Sequence, residues 1–347
     1  MKIFQSLIVC FCALLLGCAG GTENGCARAA AAIGAMLPEN EAGRDALDGM
    51  RLAAESLPEC RGFSILAEPA PKSAADALRT VGRLSSDGVR VFCVGFDAEI
   101  LAFHKIYSAM GGAFFNFLAE YPPATLSGEN STRIFFNGAQ LGDMFSAKFD
   151  SMPRAKTAAI VSEDSDIGKS LGDYLNFCVS TQTRKIFRDF YSAGETKFDI
   201  YARGIVLQKP DAIFYAGSGA EFPFLRDSLR AAGYAGVLFE MRGIKRLSHD
   251  RSGGDPRTLC AFSEFEVSPN REAEKFAAAF EKKYGRAPSV FAAWGFESAR
   301  LLASALAAAD FDASKMRAFF KSRRYDGVLG TLYFDSSADC SAKLILR

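Results

Sequence analysis

Residues able to do covalent chemistry are few in this chain, and none is spaced as a catalytic group. Ser248-His249-Asp250 holds the residue types of a nucleophile, a base and an orienting acid, but three consecutive residues cannot readily converge on one reacting atom. Gly217-Ser218-Gly219 is not a GxSxG elbow, and it lacks the rest of a GxGxxG dinucleotide fingerprint. The two histidines, His104 and His249, lie far apart, and the nine cysteines include no CxxC pair. Neither a zinc site nor a thioredoxin-like centre is supported. No catalysis, no cofactor and no metal ion are expected, which leaves non-covalent recognition.

Composition narrows what can be recognised. Of 347 residues, 49% are apolar and 23% charged, a globular balance that excludes a disordered, collagen-like or coiled-coil chain. Lys and Arg number 41 against 40 Asp and Glu, so no bulk field would hold nucleic acid or an anionic membrane surface. A ligand must be recognised locally. The length is about twice that of one domain, which favours two lobes.

The elements that position such a site alternate. Ala42–Leu57 places Ala46, Leu47, Met50, Ala53, Ala54 and Leu57 on one helical face. Strands are expected at Ala29–Leu37, Phe63–Glu68, Arg90–Gly95, Ala113–Leu118, Thr157–Ser162, Lys185–Phe190, Asp211–Ala216 and Gly236–Met241, and short ones at Thr331–Asp335 and Ala342–Leu346. Further helices are expected over 73–85, 138–150, 167–180, 197–208, 220–232, 271–284, 289–309 and 313–322. Repeated βα units imply parallel sheets covered by helices, and this many units exceed one comfortable sheet. The fold class is therefore α/β, with two doubly wound parallel-sheet lobes. Ligands of such sheets bind beyond the carboxyl ends of the strands.

The N-terminus is a targeting segment. Ile3–Leu16 is apolar except for Gln5 and Ser6, and it is shorter than the ~20 residues a stable membrane-spanning helix needs. Leu15-Leu16-Gly17-Cys18 resembles a bacterial lipobox, which implies lipid on Cys18 as the first mature residue and a flexible leash after it. Removing residues 1–17 takes away Lys2 and leaves a formally neutral chain. An exported compartment permits disulfides. Cys26 precedes the first strand and Cys60 the second, so a Cys26–Cys60 bridge and two unpaired thiols both remain open.

Several stretches together resemble the type I periplasmic binding proteins of the leucine/isoleucine/valine-binding kind. They are Ile33-Gly34-Ala35-Met36-Leu37-Pro38 with Gly49-Met50-Arg51-Leu52-Ala53, Lys156–Gly168, Gly194–Asp199, Lys209–Ile213, Tyr284–Ser289 and Tyr325–Asp335. The resemblance implies a hinge of three crossovers and a small polar ligand between the lobes. The division expected is a signal peptide over 1–17, a lipidated leash over 18–26, a first lobe of 27–137 and 262–329, and a second of 138–261 and 330–347.

Carried over residue by residue, the resemblance points to eight ligand candidates. Phe96 and Asp97 follow the third strand, where the family has a ligand-contacting segment; Asp97 is a helix cap in the alternative reading. Glu120 and Tyr121 stand where the family's serine and threonine would hold a ligand carboxylate. There Tyr121 can still donate or stack, and Glu120 opposes an anion unless it is simply a solvent-facing loop residue. Ser165 is a helix cap or a ligand contact, and Ser218 lies in a turn whose NH groups suit an anion. Glu240 and Arg242 are alternatives for one position: Glu240 would favour an amine, Arg242 a carboxylate or phosphate. Trp294 is read as core.

The function implied is that of a lipid-anchored solute-binding protein on the periplasmic or cell-surface face of a bacterial membrane, taking an amino acid or related compound to an ABC-type permease. The alternative is an envelope sensor or regulatory lipoprotein that contacts a protein partner.

Overall fold

The computed structural model describes Ala31–Arg347 except residues 61, 96–104, 107–108, 111, 117–130, 182, 218 and 242–253. The first sheet is built from β1 (Ala31–Leu37), β2 (Phe63–Pro69), β3 (Val91–Val94), β4 (Ala113–Asn116) and β5 (Ser131–Arg133). All its pairings are parallel, in the order β2-β1-β3-β4-β5. Asn40 caps helix α1 (Glu41–Ser56) by accepting from the Gly43 NH, and Ser73 does the same for α2 (Ala74–Ser86) at Asp76. Each cap oxygen satisfies a backbone donor that the first turn leaves open. Ile33, Ala35 and Leu37 alternate with Met36 along β1, so one face packs into the main core with α1 and the other against Val81 and Leu84 of α2.

Helix α3 (Gly138–Asp150) leads to the second sheet: β6 (Thr157–Glu163), β7 (Lys185–Tyr191), β8 (Ala212–Ala216), β9 (Val237–Glu240) and β10 (Thr258–Ser263). The order β7-β6-β8-β9-β10 repeats that of the first sheet, with β14 (Leu344–Leu346) added antiparallel beside β10. Helix α4 (Asp166–Val179) joins α3 on one face through Phe145, Phe149, Leu171 and Leu175. Helices α5 (Asp199–Leu207) and α6 (Phe222–Ala231) cover the other through Ala202, Ile205, Leu225 and Leu229. Both sheets thus have helices on both faces and a topological reversal beside their second listed strand, β1 or β6.

After β10 come α7 (Glu264–Val267), α8 (Arg271–Tyr284), α9 (Val290–Ala308) and α10 (Met316–Phe320), then the hairpin β11 (Arg323–Gly327)–β12 (Gly330–Phe334) and β13 (Cys340–Ala342). Helix α9 is buried almost all round, as its nearly unbroken apolar sequence requires. It lies against α1 at backbone contact: a Cβ on Gly295 would stand 2.0 Å from the Ala46 carbonyl oxygen, and one on Gly49 2.0 Å from that of Ala292. Trp294 is fully buried and packs on Phe135 at 4.7 Å between ring centroids, the core role expected of it.

Several short strands escape the sequence pattern. β5, β10, β11 and β13 have three to six residues and little apolar alternation. Ala342–Leu346, expected as one strand, is divided at Lys343: β13 pairs with β12, and β14 with β10 of another sheet. The expected helix 313–322 is a 3-10 turn, Ala313–Lys315, followed by the single short helix α10.

Candidate functional site

In a 2-1-3-4-5 parallel sheet the connections on either side of the reversal run to opposite faces, leaving a crevice at the carboxyl ends of the two central strands. This chain has two such crevices. In the first sheet the crevice lies between Leu37-Pro38 at the end of β1 and Val94-Gly95 at the end of β3, held in register by the Gly95 NH donating to Met36 O at 3.1 Å. A cavity of about 420 Å³ opens on the same edge, lined by Leu37, Pro38, Arg44, Leu47 and Glu68. Arg44 is exposed and has no ion-pair partner among the described residues.

Near the carboxyl ends of the second sheet lies a buried polar cluster. Tyr191 ends β7, Tyr215 stands in β8, and Glu240 ends β9 directly opposite Tyr215 in the strand register. All three have at most 1% exposure. The two phenol oxygens lie 2.5 Å apart. Cys260 of β10 brings its Sγ within 3.3 Å of Glu240 Oε2. Burial, the charge and hydrogen bond of Tyr191, and the carboxylates of Glu221 and Glu240 push the Tyr215 phenol well above its ordinary value. It therefore stays neutral, able both to donate and to accept.

Glu221, at the entry to α6, completes the cluster. One oxygen accepts from the Gly194 NH at 2.8 Å, pinning the β7–α5 loop. The other is buried and has no hydrogen-bond partner among the described residues. Unmet acceptors of this kind are uncommon in folded interiors and mark a place where a donor is wanted. Gly217 passes over the tyrosine pair so closely that a Cβ would fall 1.8 Å from Tyr191 Oη and 2.6 Å from Tyr215 Oη. Glycine is needed there for that approach.

Of the candidates read from sequence, Ser165 and Glu240 are described. Ser165 caps α4, accepting from the Gly168 NH at 3.1 Å. Glu240 is at the carboxyl end of its strand, inside the polar cluster. Phe96, Asp97, Glu120, Tyr121, Ser218 and Arg242 lie outside the described residues, as do Cys18 and Cys26. Cys60 is buried. Tyr191, Tyr215 and Glu221 were not singled out from sequence. Their available signal was position: polar groups at the carboxyl ends of buried strands or at the next helix start.

The arrangement suits reversible capture. Among the described residues no group of three or more His, Cys, Asp or Glu is placed to hold a metal ion, and no helix is long and apolar enough to cross a membrane.

No curated protein matches the chain. Solved structures share its fold. A leucine-binding protein from Thermotoga maritima is 19% identical, with a TM-score of 0.78 over 91% of this chain and 94% of that one. A solute-binding protein of an R. palustris ABC transporter, in complex with benzoate, is 18% identical, with a TM-score of 0.76 over 92% of each chain. The substrate-binding protein of a branched-chain amino acid transporter from Streptococcus pneumoniae, in complex with isoleucine, is 18% identical, with a TM-score of 0.74 over 91% of this chain and 95% of that one. The sequence profile of the periplasmic binding protein family matches residues 38–341, across both sheets from β2 to β13, leaving out β1 and β14. With two sheets of the same winding and this match, the chain belongs to the periplasmic binding protein family, whose members bind solutes and are not enzymes.

Proposed function

We propose that the protein is an exported, lipid-anchored solute-binding protein that closes its lobes over a small polar ligand, an amino acid or a related compound, and presents the closed state to an ABC-type permease. The observation that carries this reading is the polar cluster of Glu221, Glu240, Tyr191 and Tyr215 at the carboxyl edge of the second sheet. Two carboxylates beside neutral phenols suit an ammonium group. Isoleucine and benzoate, bound in two of the similar structures, are both small carboxylic acids. A carboxylate end would find Arg44, exposed on the edge of the first sheet, or Arg242. Closure then follows as a population shift, because only the closed state lets one ligand meet both edges.

In this reading Phe96, Asp97, Glu120, Tyr121, Ser165, Ser218, Glu240 and Arg242 line the cleft, with Glu240 the partner of the amine. Cys18 carries the lipid and residues 1–17 are removed; Cys26 and Cys60 either bridge or stay as two thiols. Several buried acyl chains, at about 0.8 kcal/mol per CH₂, give lasting attachment. The lobes divide after residues 137 and 329 and, in place of the break after 261 read from the sequence, after Ser263, because β10 runs to Ser263 beside β14 in the second sheet. The last break falls in the turn between β11 and β12, so that hairpin belongs to the hinge.

A sensor contacting an envelope protein is the second reading. It is favoured by Phe177, Ile200 and Leu207, which are 78%, 83% and 81% exposed and suit a protein surface better than a solute.

A thermal-shift screen of residues 19–347 against amino acids, amides, polyamines and small carboxylates tests the first reading. A specific ligand at 100 times its dissociation constant adds about 2.7 kcal/mol. Flat melting curves across the panel would leave the sensor reading standing. On any amine-bearing hit, Glu240→Gln weakens binding and Arg242→Ala weakens only acids; no effect from either removes the proposed second-lobe contacts.

A further inference from the structure

A second cavity, of about 430 Å³, lies away from both crevices, between the end of α1, helices α8 and α9, and the β11–β12 turn. Its size falls within the range of roughly 300–1,000 Å³ seen for small-molecule sites. Its lining combines apolar Leu57, Phe276, Phe296 and Val328 with the charged Lys275, Arg300, Glu272 and Asp326. At its base stands Glu297, only 1% exposed.

This carboxylate is tightly built in. It accepts from Arg300 Nε at 3.0 Å and from the Val328 NH at 2.9 Å. A Cβ on Gly327 would fall 2.2 Å from its Oε2, so the turn is shaped to rest on it. Arg300 also donates to Asp326 O at 3.2 Å, while its Nη1 has no partner among the described residues. A buried ion pair is no more stabilising than well-packed apolar residues would be. What this one does is hold a guanidinium edge against the cavity. The nearby carboxylates are already engaged and exposed: Glu272 with Lys275 at 2.8 Å, and Asp326 with Thr331 at 2.6 Å. The group left to be matched is therefore a donor, and the ligand end that fits is an anion.

We propose that this cavity is a second ligand site, separate from the interlobe cleft, for a small monocarboxylate with a short aliphatic or aromatic tail. The carboxylate sits on Arg300, with Lys275 at the rim, and the tail lies among Leu57, Phe276 and Phe296.

The test is calorimetric titration of the mature chain with hexanoate and with hexanamide. Arg300→Gln alone leaves Glu297 buried without a countercharge and risks unfolding, so two other variants are used. Ala279→Phe fills the cavity from its exposed rim, and Glu297→Gln with Arg300→Gln keeps hydrogen bonding while removing both charges. Hexanoate is expected to bind saturably to the unmodified chain and at least about tenfold more weakly to each variant; hexanamide is expected to bind the unmodified chain at least about tenfold more weakly than hexanoate. Arg242→Ala, in the cleft, leaves hexanoate binding unchanged. Absence of saturable binding overturns the proposal, as does binding lost in Arg242→Ala but kept in Ala279→Phe. The second result would assign the ligand to the cleft and leave the cleft reading intact.

Discussion

Arg133 grips Asp339 by two bonds, Nε to Oδ1 at 2.7 Å and a terminal amine to Oδ2 at 3.2 Å, across 206 positions of sequence. Arg133 ends β5, where the chain leaves the first sheet, and Asp339 lies in the turn between β12 and β13, just before it re-enters the second. Asn137 donates to the same carboxylate at 3.2 Å, and the Gln140 side chain pairs with both backbone groups of Ala342. Two crossovers are thus bound into one body about which the lobes can turn.

Removing one partner of this pair strands a charge in the interior. The Arg133 side chain is fully buried and that of Asp339 is 11% exposed. Arg133→Met is expected to cost about 3–5 kcal/mol. Urea unfolding gives the value, and a loss below about 1 kcal/mol would show that the pair is dispensable.

At Gly217, substitution by Ala drives a methyl group into the paired phenols of Tyr191 and Tyr215. Neither ring can move without breaking their mutual bond or disturbing the α5–α6 face. A loss of about 1–3 kcal/mol is expected, the usual range for overpacking. Gly217→Ala with Tyr191→Phe, which deletes the nearer oxygen, should recover part of it. A double variant no more stable than Gly217→Ala alone would contradict this account.

Acid sensitivity is expected from Asp255. Burial alone would raise its carboxyl, but bonds from Arg230, the Arg257 NH and Thr258 outweigh that and hold it below the ordinary value. A depressed folded-state value contributes stability that is complete above the unfolded value of about 3.9 and is lost as pH falls through the folded one. The stability gap between the native chain and Asp255→Asn should be widest near neutrality and narrow below about pH 4. A gap constant from pH 7 to pH 3 would remove the ion pair as its cause.

Cys178 is only partly buried, where α4 meets α3, in contrast to the fully buried Cys93. Burial pushes its thiol up to about 11, Tyr174 opposes the rise and Asp143 adds to it. The thiolate is then about one part in a thousand at pH 8, and the thiolate is the reactive form. Labelling of Cys178 in the folded chain should be slow at pH 8 and rise steeply towards pH 10. Rapid labelling at pH 8 would refute the burial argument.

The architecture was legible wherever an element was long and its period clear. The expected helices 138–150 and 271–284 agree with α3 and α8, and eight of the expected strands fall on β1–β4 and β6–β9. What failed was local in sequence and non-local in cause. Ser131–Arg133 reads as polar because its arginine is paired with a carboxylate near the other end of the chain. The site was legible only in part for a related reason. Glu240 carries its own signal, a charge closing an apolar strand, whereas Tyr191 closes a mixed strand and Tyr215 sits inside an apolar one as ordinary aromatics do. Only the β7-β6-β8-β9 register brings them beside it.

The glycine-to-backbone seating of α9 on α1 also governs when the chain becomes able to fold. Helix α9 belongs to the last sixty residues of the chain, yet it shares a core with the sheet formed by residues 31–133. During synthesis the main apolar face of that sheet has α1 but not α9 against it until the whole of the second lobe has been made. Contacts of such long sequence separation form slowly. The first lobe is therefore completed last.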